Sequence, residues 1–116
     1  MKKLSQEQFQ QFEQECRRLQ KEWGLNQLKL FFYFKPLVER YAESEVDLGG
    51  ATASIRLTTE LSPLAYKDFN VLEAAKHEMI HVLLGKLAVM GHTRFLDIKS
   101  IQEAEEECVR ILEKIL

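Results

Sequence analysis

The stretch from Val71 to Met90 contains no proline and a single glycine, Gly85, and is dense in Ala, Leu, Val and Met. Such a run reads as one long helix. Asn70 offers an N-cap with Glu73 as its capping-box partner, and Gly91 suits the C-terminal stop. Ala74, Ala75, Met79, Val82, Leu83 and Leu87 clothe much of the cylinder, so the helix is expected to pack inside a small domain. Within it His77 and His81 stand four positions apart, one turn along the same face, with Glu78 beside the first. Both imidazoles can therefore reach one metal ion, while the carboxylate points toward a water on that ion. The competing reading makes the histidines satisfied core or rim residues and Glu78 a solvated one. Imidazole and carboxylate in apolar surroundings are costly unless partnered, which favours the metal.

The rest of the chain is read as a scaffold for this helix. At 116 residues it is one domain, spanning 1–116, able to bury about two-thirds of its unfolded surface but too short for a second lobe. An amphipathic helix from about Gln6 to Glu22 carries Phe9, Phe12, Cys16, Leu19 and Trp23 on one face. Ser5 and Gln8 form its capping box, Leu4 and Phe9 its hydrophobic staple, and Gly24 its end. Three strands follow, Leu28 to Phe34, Tyr41 to Leu48 and Ala51 to Thr58, the last two joined through Gly49-Gly50, a dipeptide suited to the positive φ values of a tight turn. Ala53, Ile55 and Leu57 alternate with polar residues, which gives that strand one buried face. Thr59 to Phe69 reads as a loop. A last helix from about Ile101 to Leu116 has Ser100 and Glu103 as a capping box and Ile101, Ala104, Cys108, Ile111, Leu112 and Ile115 as its buried stripe. The fold class is thus α+β: an N-terminal helix, a small three-stranded, mainly antiparallel sheet, the histidine-bearing helix and a C-terminal helix.

Composition narrows the partners. A formal charge of −2 provides no basic field, so nucleic acid is not expected as a direct ligand. The apolar tracts are too interrupted by charge to span a bilayer. Lys2 and Lys3 run into Ser5-Gln6-Glu7 rather than an apolar stretch, so no signal peptide is read and a cytoplasmic location is expected. Cys16 and Cys108 stand far apart and are read as core packing, not as a disulfide or a metal pair.

A catalytic zinc has three protein ligands and one open position, so the two histidines leave one ligand to find. Periodicity favours Glu105 in the acidic start of the last helix, with Glu106 at the edge of the same arc. His92, just beyond Gly91, is the rival and would make a three-histidine site. The metzincin form is excluded, because Leu84 and Leu87 stand where it needs Gly and His.

The pattern His-Glu-x-x-His on a helix is that of zinc peptidases, with the glutamate as general base. In its runs Ala75-Lys76-His77-Glu78-Met79-Ile80-His81-Val82-Leu83-Leu84 and Ala104-Glu105-Glu106-Glu107-Cys108-Val109-Arg110-Ile111-Leu112-Glu113, the chain resembles the small single-domain zincins often encoded by phages and prophages, a group related to SprT-like and ImmA/IrrE-like metallopeptidase domains. The resemblance covers most of the chain from Leu28 onward. It implies a zincin-like fold and a Zn²⁺ ion on His77, His81 and Glu106, the last selected by its spacing to Val109 and Leu112. It also implies Glu78 as general base, a protein or peptide substrate, and a strand edge around Ile55 to Leu57 that holds the substrate extended. Tyr33, Tyr41, Tyr66, His92 and Arg94 have the chemistry of an oxyanion donor, without any one being singled out. The alternatives are a zinc-stabilised, non-catalytic binding module and a metal-dependent hydrolase of a non-peptide bond.

Overall fold

A computed structural model of the chain describes residues 1–91 and 97–115. Its elements run β1 (Lys2–Lys3), α1 (Gln6–Glu22), β2 (Lys29–Phe34), β3 (Ala42–Asp47), β4 (Thr52–Leu57), β5 (Glu60–Leu61), α2 (Pro63–Asp68), α3 (Val71–Gly91) and α4 (Ile98–Ile115). The architecture is α+β, and no described helix is long and apolar enough to cross a membrane.

Helix α1 begins and ends as its sequence dictates. The Ser5 hydroxyl accepts from the Gln8 N–H at 3.1 Å while the Gln8 carboxamide accepts from the Ser5 N–H at 2.8 Å, a complete capping box. At the other end Gly24 takes φ +73°. Its N–H reaches the Lys21 carbonyl and that of Leu25 the Gln20 carbonyl, a Schellman closure that a residue with a Cβ would strain. Phe12, Cys16, Leu19 and Trp23 go into the core.

The main sheet has the order β2-β4-β3, with β2 parallel to β4 and β3 antiparallel to it. The expected mainly antiparallel sheet is therefore mixed. The physical reason lies in β4, whose Ala53, Ile55 and Leu57 are completely buried and so take the central place, separating β2 from β3. Leu30, Phe32 and Phe34 of β2 and Ala42, Ser44 and Val46 of β3 register with those residues on the inner face. The outer face carries Phe31, Tyr33, Glu43 and Arg56, the last bonded to Glu43 at 2.6 Å.

Three elements, β1, β5 and α2, were not expected. β1 pairs antiparallel with β5, tying the start of the chain to the segment after β4, and the Leu4 N–H adds a 2.8 Å bond to the Thr59 carbonyl. Residues 63–68, expected as loop, form α2, because Ser62 caps Ala65 and Pro63 occupies the first helical position. The β3-β4 turn is also built differently. Its positive φ falls on Ala51 (+53°) and not on the glycines, whose lack of a side chain lets the Asp47 carboxylate accept from the Gly50 N–H at 3.3 Å.

Helix α3 lies against α1 and β3, and Gly85 is what allows the latter approach. A Cβ at that position would lie 2.5 Å from Val46 Cγ2. Helix α4 starts earlier than expected, at Ile98, because Asp97 and not Ser100 is its cap: the Ser100 N–H donates to Asp97 Oδ1 at 2.7 Å. Ala104, Cys108 and Ile111 are buried, whereas Leu112 and Ile115 are exposed, so its buried stripe is narrower than its apolar content suggested.

Candidate active site

The Asn70 carboxamide accepts from the Glu73 N–H at 3.0 Å and starts α3, which places His77 two turns in and His81 one turn further. Both rings are exposed, while Glu78 between them is only 3% exposed. The helix sorts them by rotation: Ala74, Ala75, Met79, Val82 and Leu83 turn the opposite side into the core, and Glu78 sits at the boundary.

The Nε2 atoms of His77 and His81 are 3.2 Å apart, with ring centroids 4.9 Å apart and planes at 73°. In the absence of a metal that separation permits a hydrogen bond if one ring donates and the other accepts. It also satisfies a test of fit for a metal, because two nitrogens held about 2.0–2.1 Å from one tetrahedral zinc lie roughly 3.3 Å apart. Two exposed imidazoles with converging Nε2 atoms are a donor pair suited to zinc.

Glu78 and His77 line a cleft of about 530 Å³ together with Met1, Leu37, Glu39, Arg40, Tyr41, Ala42, Glu60, Leu61, Ser62 and Ala65. A second cleft of about 450 Å³, walled by α2, Phe69 and the first turn of α3, meets the first at Tyr41 and His77. The cleft thus has His77 and the buried acid Glu78 in one wall, with His81 one turn further along α3. Glu39, Glu60 and Glu78 line it together with Arg40, whose guanidinium lies 3.6 Å from Glu43, and with Met1, so acidic groups outnumber basic ones along its wall.

Cys16 lies beneath this region, its thiol 3.9 Å from the Ala75 carbonyl. Burial, seconded by the charge of Glu78, pushes the Cys16 thiol well up, as suits a residue that packs in the core. Cys108 is buried too, 3.7 Å from the Leu83 carbonyl, and neither cysteine is in a disulfide.

The third expected ligand is not brought to this pair. Among the described residues no group of three or more His, Cys, Asp or Glu side chains is arranged to hold a metal. Glu105 and Glu106 are both exposed on α4. Helix α4 docks through Ala104, Cys108 and Ile111, and two residues from Ala104 carry Glu106 about 200° round the helix, away from that contact. His92 and Arg94 lie outside the described residues.

Of the tyrosines considered as donors, Tyr33 is on the outer sheet face and Tyr66 packs against the core, whereas Tyr41 stands beside the pair, its ring 6.3 Å from that of His77. The expected substrate strand also moves. Residues Ile55 to Leu57 belong to β4, whose two edges are both paired, so the strand flanking α3 with an unpaired outer edge among the described strands is β3. Sequence reasoning missed Thr58, fully buried, whose hydroxyl accepts from the Leu37 N–H and donates to the Glu60 carbonyl, while its N–H holds the Tyr41 carbonyl at 2.8 Å. It ties three walls of the cleft together, and a threonine at the end of an alternating strand gave little sign of that.

No protein-family model and no curated protein matches the chain. Among solved structures, it is similar to the metallopeptidase zymogen of Methanocaldococcus jannaschii jannalysin, with 14% identity over 90% of this chain and 97% of that one and a TM-score of 0.42. A likeness at that level decides neither fold nor function.

Proposed function

We propose that this chain is a zinc-dependent metallopeptidase. The observation that carries the reading is the 3.2 Å convergence of the His77 and His81 Nε2 atoms at the rim of a cleft whose wall contains the buried Glu78. His77 and His81 would hold the ion; the resemblance of the C-terminal run implies Glu106 as third ligand, with Glu105 and His92 as its competitors, but α4 keeps both glutamates exposed and away from the pair, so the third position stays open. When bound, zinc supplies Lewis acidity at a carbonyl and acidifies water.

The chain's own residues do the rest. Glu78 takes a proton from water as the water oxygen bonds to the peptide carbonyl carbon, and delivers that proton to the amine nitrogen as the C–N bond breaks. Glu78 is buried in the cleft wall, which leaves its carboxylate poorly hydrated. The outer edge of β3 offers backbone groups to a substrate lying extended along it.

Substituting Glu78→Gln should retain zinc and lower hydrolysis of a peptide library by about 10²–10⁴-fold. Undiminished hydrolysis in Glu78→Gln would remove Glu78 from the chemistry. A zinc-loaded wild type with no turnover on peptides would instead support the non-catalytic binding module.

A further inference from the structure

A histidine that binds a metal usually donates its second ring N–H to a carboxylate, a carbonyl or water, which fixes the ring. His77 makes no such bond among the described residues: its one hydrogen-bonding contact is the Nε2 approach to His81. The outer torsion of a histidine is broad and soft, so something else must hold the ring.

The neighbour in place is Tyr41. Its ring meets that of His77 edge-on, at 6.3 Å between centroids and 67° between planes, within the range of a favourable T-shaped aromatic pair. Behind it stands Phe69, 6.0 Å away and tilted by 56°, which itself packs on the core. The Tyr41 backbone is held by the 2.8 Å bond from the Thr58 N–H to its carbonyl. A tyrosine 40% exposed, with its hydroxyl bonded to no described residue, contributes little as core. Its place is the junction of the two clefts, against the imidazole.

We propose that Tyr41 is a positioning residue for His77, its ring, braced by Phe69, holding the imidazole so that Nε2 stays turned toward His81 in place of a hydrogen bond to the other ring nitrogen. The role rests on the metal-binding reading above. It concerns the ring and not the hydroxyl.

The test uses the full chain, stripped of metal, with zinc affinity read by competition against a chromophoric chelator and the histidine ring protons followed by NMR. Tyr41→Phe, which keeps the ring, should bind zinc within about twofold of wild type and leave the His77 resonances near their wild-type positions. Tyr41→Ala should weaken zinc binding about tenfold and shift the His77 ring protons more than those of His81, with its circular dichroism spectrum unchanged. A Tyr41→Ala protein that binds zinc as tightly as wild type overturns the proposal. So does a Tyr41→Phe protein as impaired as Tyr41→Ala, since the hydroxyl would then carry the effect. A wild type that takes up no zinc overturns the metal reading itself, a result distinct from a defect confined to Tyr41→Ala.

Discussion

Gly85→Ala tests how α3 is seated, and with it the placement of the histidines. In an isolated helix the change is favourable by about 1 kcal/mol, because alanine is the better helix former. Here the added methyl would fall 2.5 Å from Val46 Cγ2 and 3.0 Å from Val46 Cβ. The second atom is attached directly to the β3 backbone, so a rotamer change alone does not relieve the contact. Forcing a methyl into such a contact costs about 1–3 kcal/mol. The contact energy exceeds the propensity gain over most of that range, so the net expectation is a loss of about 1 kcal/mol. Urea unfolding followed by circular dichroism should show the midpoint falling by roughly 0.5 M, taking a slope of about 2 kcal/mol/M. Val46→Ala removes the nearer atom, and in that background Gly85→Ala should cost about 1–2 kcal/mol less than in wild type, a coupling read from the double-mutant cycle. A Gly85→Ala protein more stable than wild type, with no coupling to Val46, would refute the close approach of α3 to β3.

The β3-β4 turn and the start of α4 each make a smaller prediction. Ala51→Gly should raise stability by about 0.5–1 kcal/mol in the same assay, because a left-handed φ of +53° disfavours any residue with a Cβ. Asp97, whose carboxylate is held below the usual Asp range chiefly by the Ser100 N–H, supports α4 above the ordinary carboxylate pKa and loses that support as pH falls through its own lowered value. Melting curves of wild type and Asp97→Asn should therefore converge at acid pH; a gap that widens on acidification would remove Asp97 as the cap.

Where side-chain periodicity and capping chemistry act locally, the sequence was a good guide. The capping box of α1, its end at Gly24, the three strands of the main sheet to within two residues and the whole of α3 are all written in short-range patterns. β1 and β5 are two residues each and carry no period, so only the fold reveals them. The parallel pairing of β2 with β4 is equally invisible, because alternation reports which face of a strand is buried and not its direction. Ser62-Pro63 is itself a helix-start pattern, a serine cap followed by proline in the first turn, and α2 follows from it.

The site divides along the same line. His77, Glu78 and His81 share one helix, so 3.6-residue geometry is enough to place the two rings one turn apart on a common face. Tyr41 is brought to them by the β3 register and Thr58, both long-range. The relation of Glu106 to the pair depends on how α4 rotates against α3, which is set by Ala104 and Cys108 rather than by the spacing of Glu106 to Val109.

The most direct measurement is elemental zinc in the purified protein, set beside His77→Ala, His81→Ala and Glu78→Gln. About one equivalent per chain in wild type and Glu78→Gln, lost in both histidine variants, is the expected result for a two-imidazole grip with the carboxylate left free for proton transfer. Wild type without zinc under zinc-replete conditions, or histidine variants that retain it, would contradict the account.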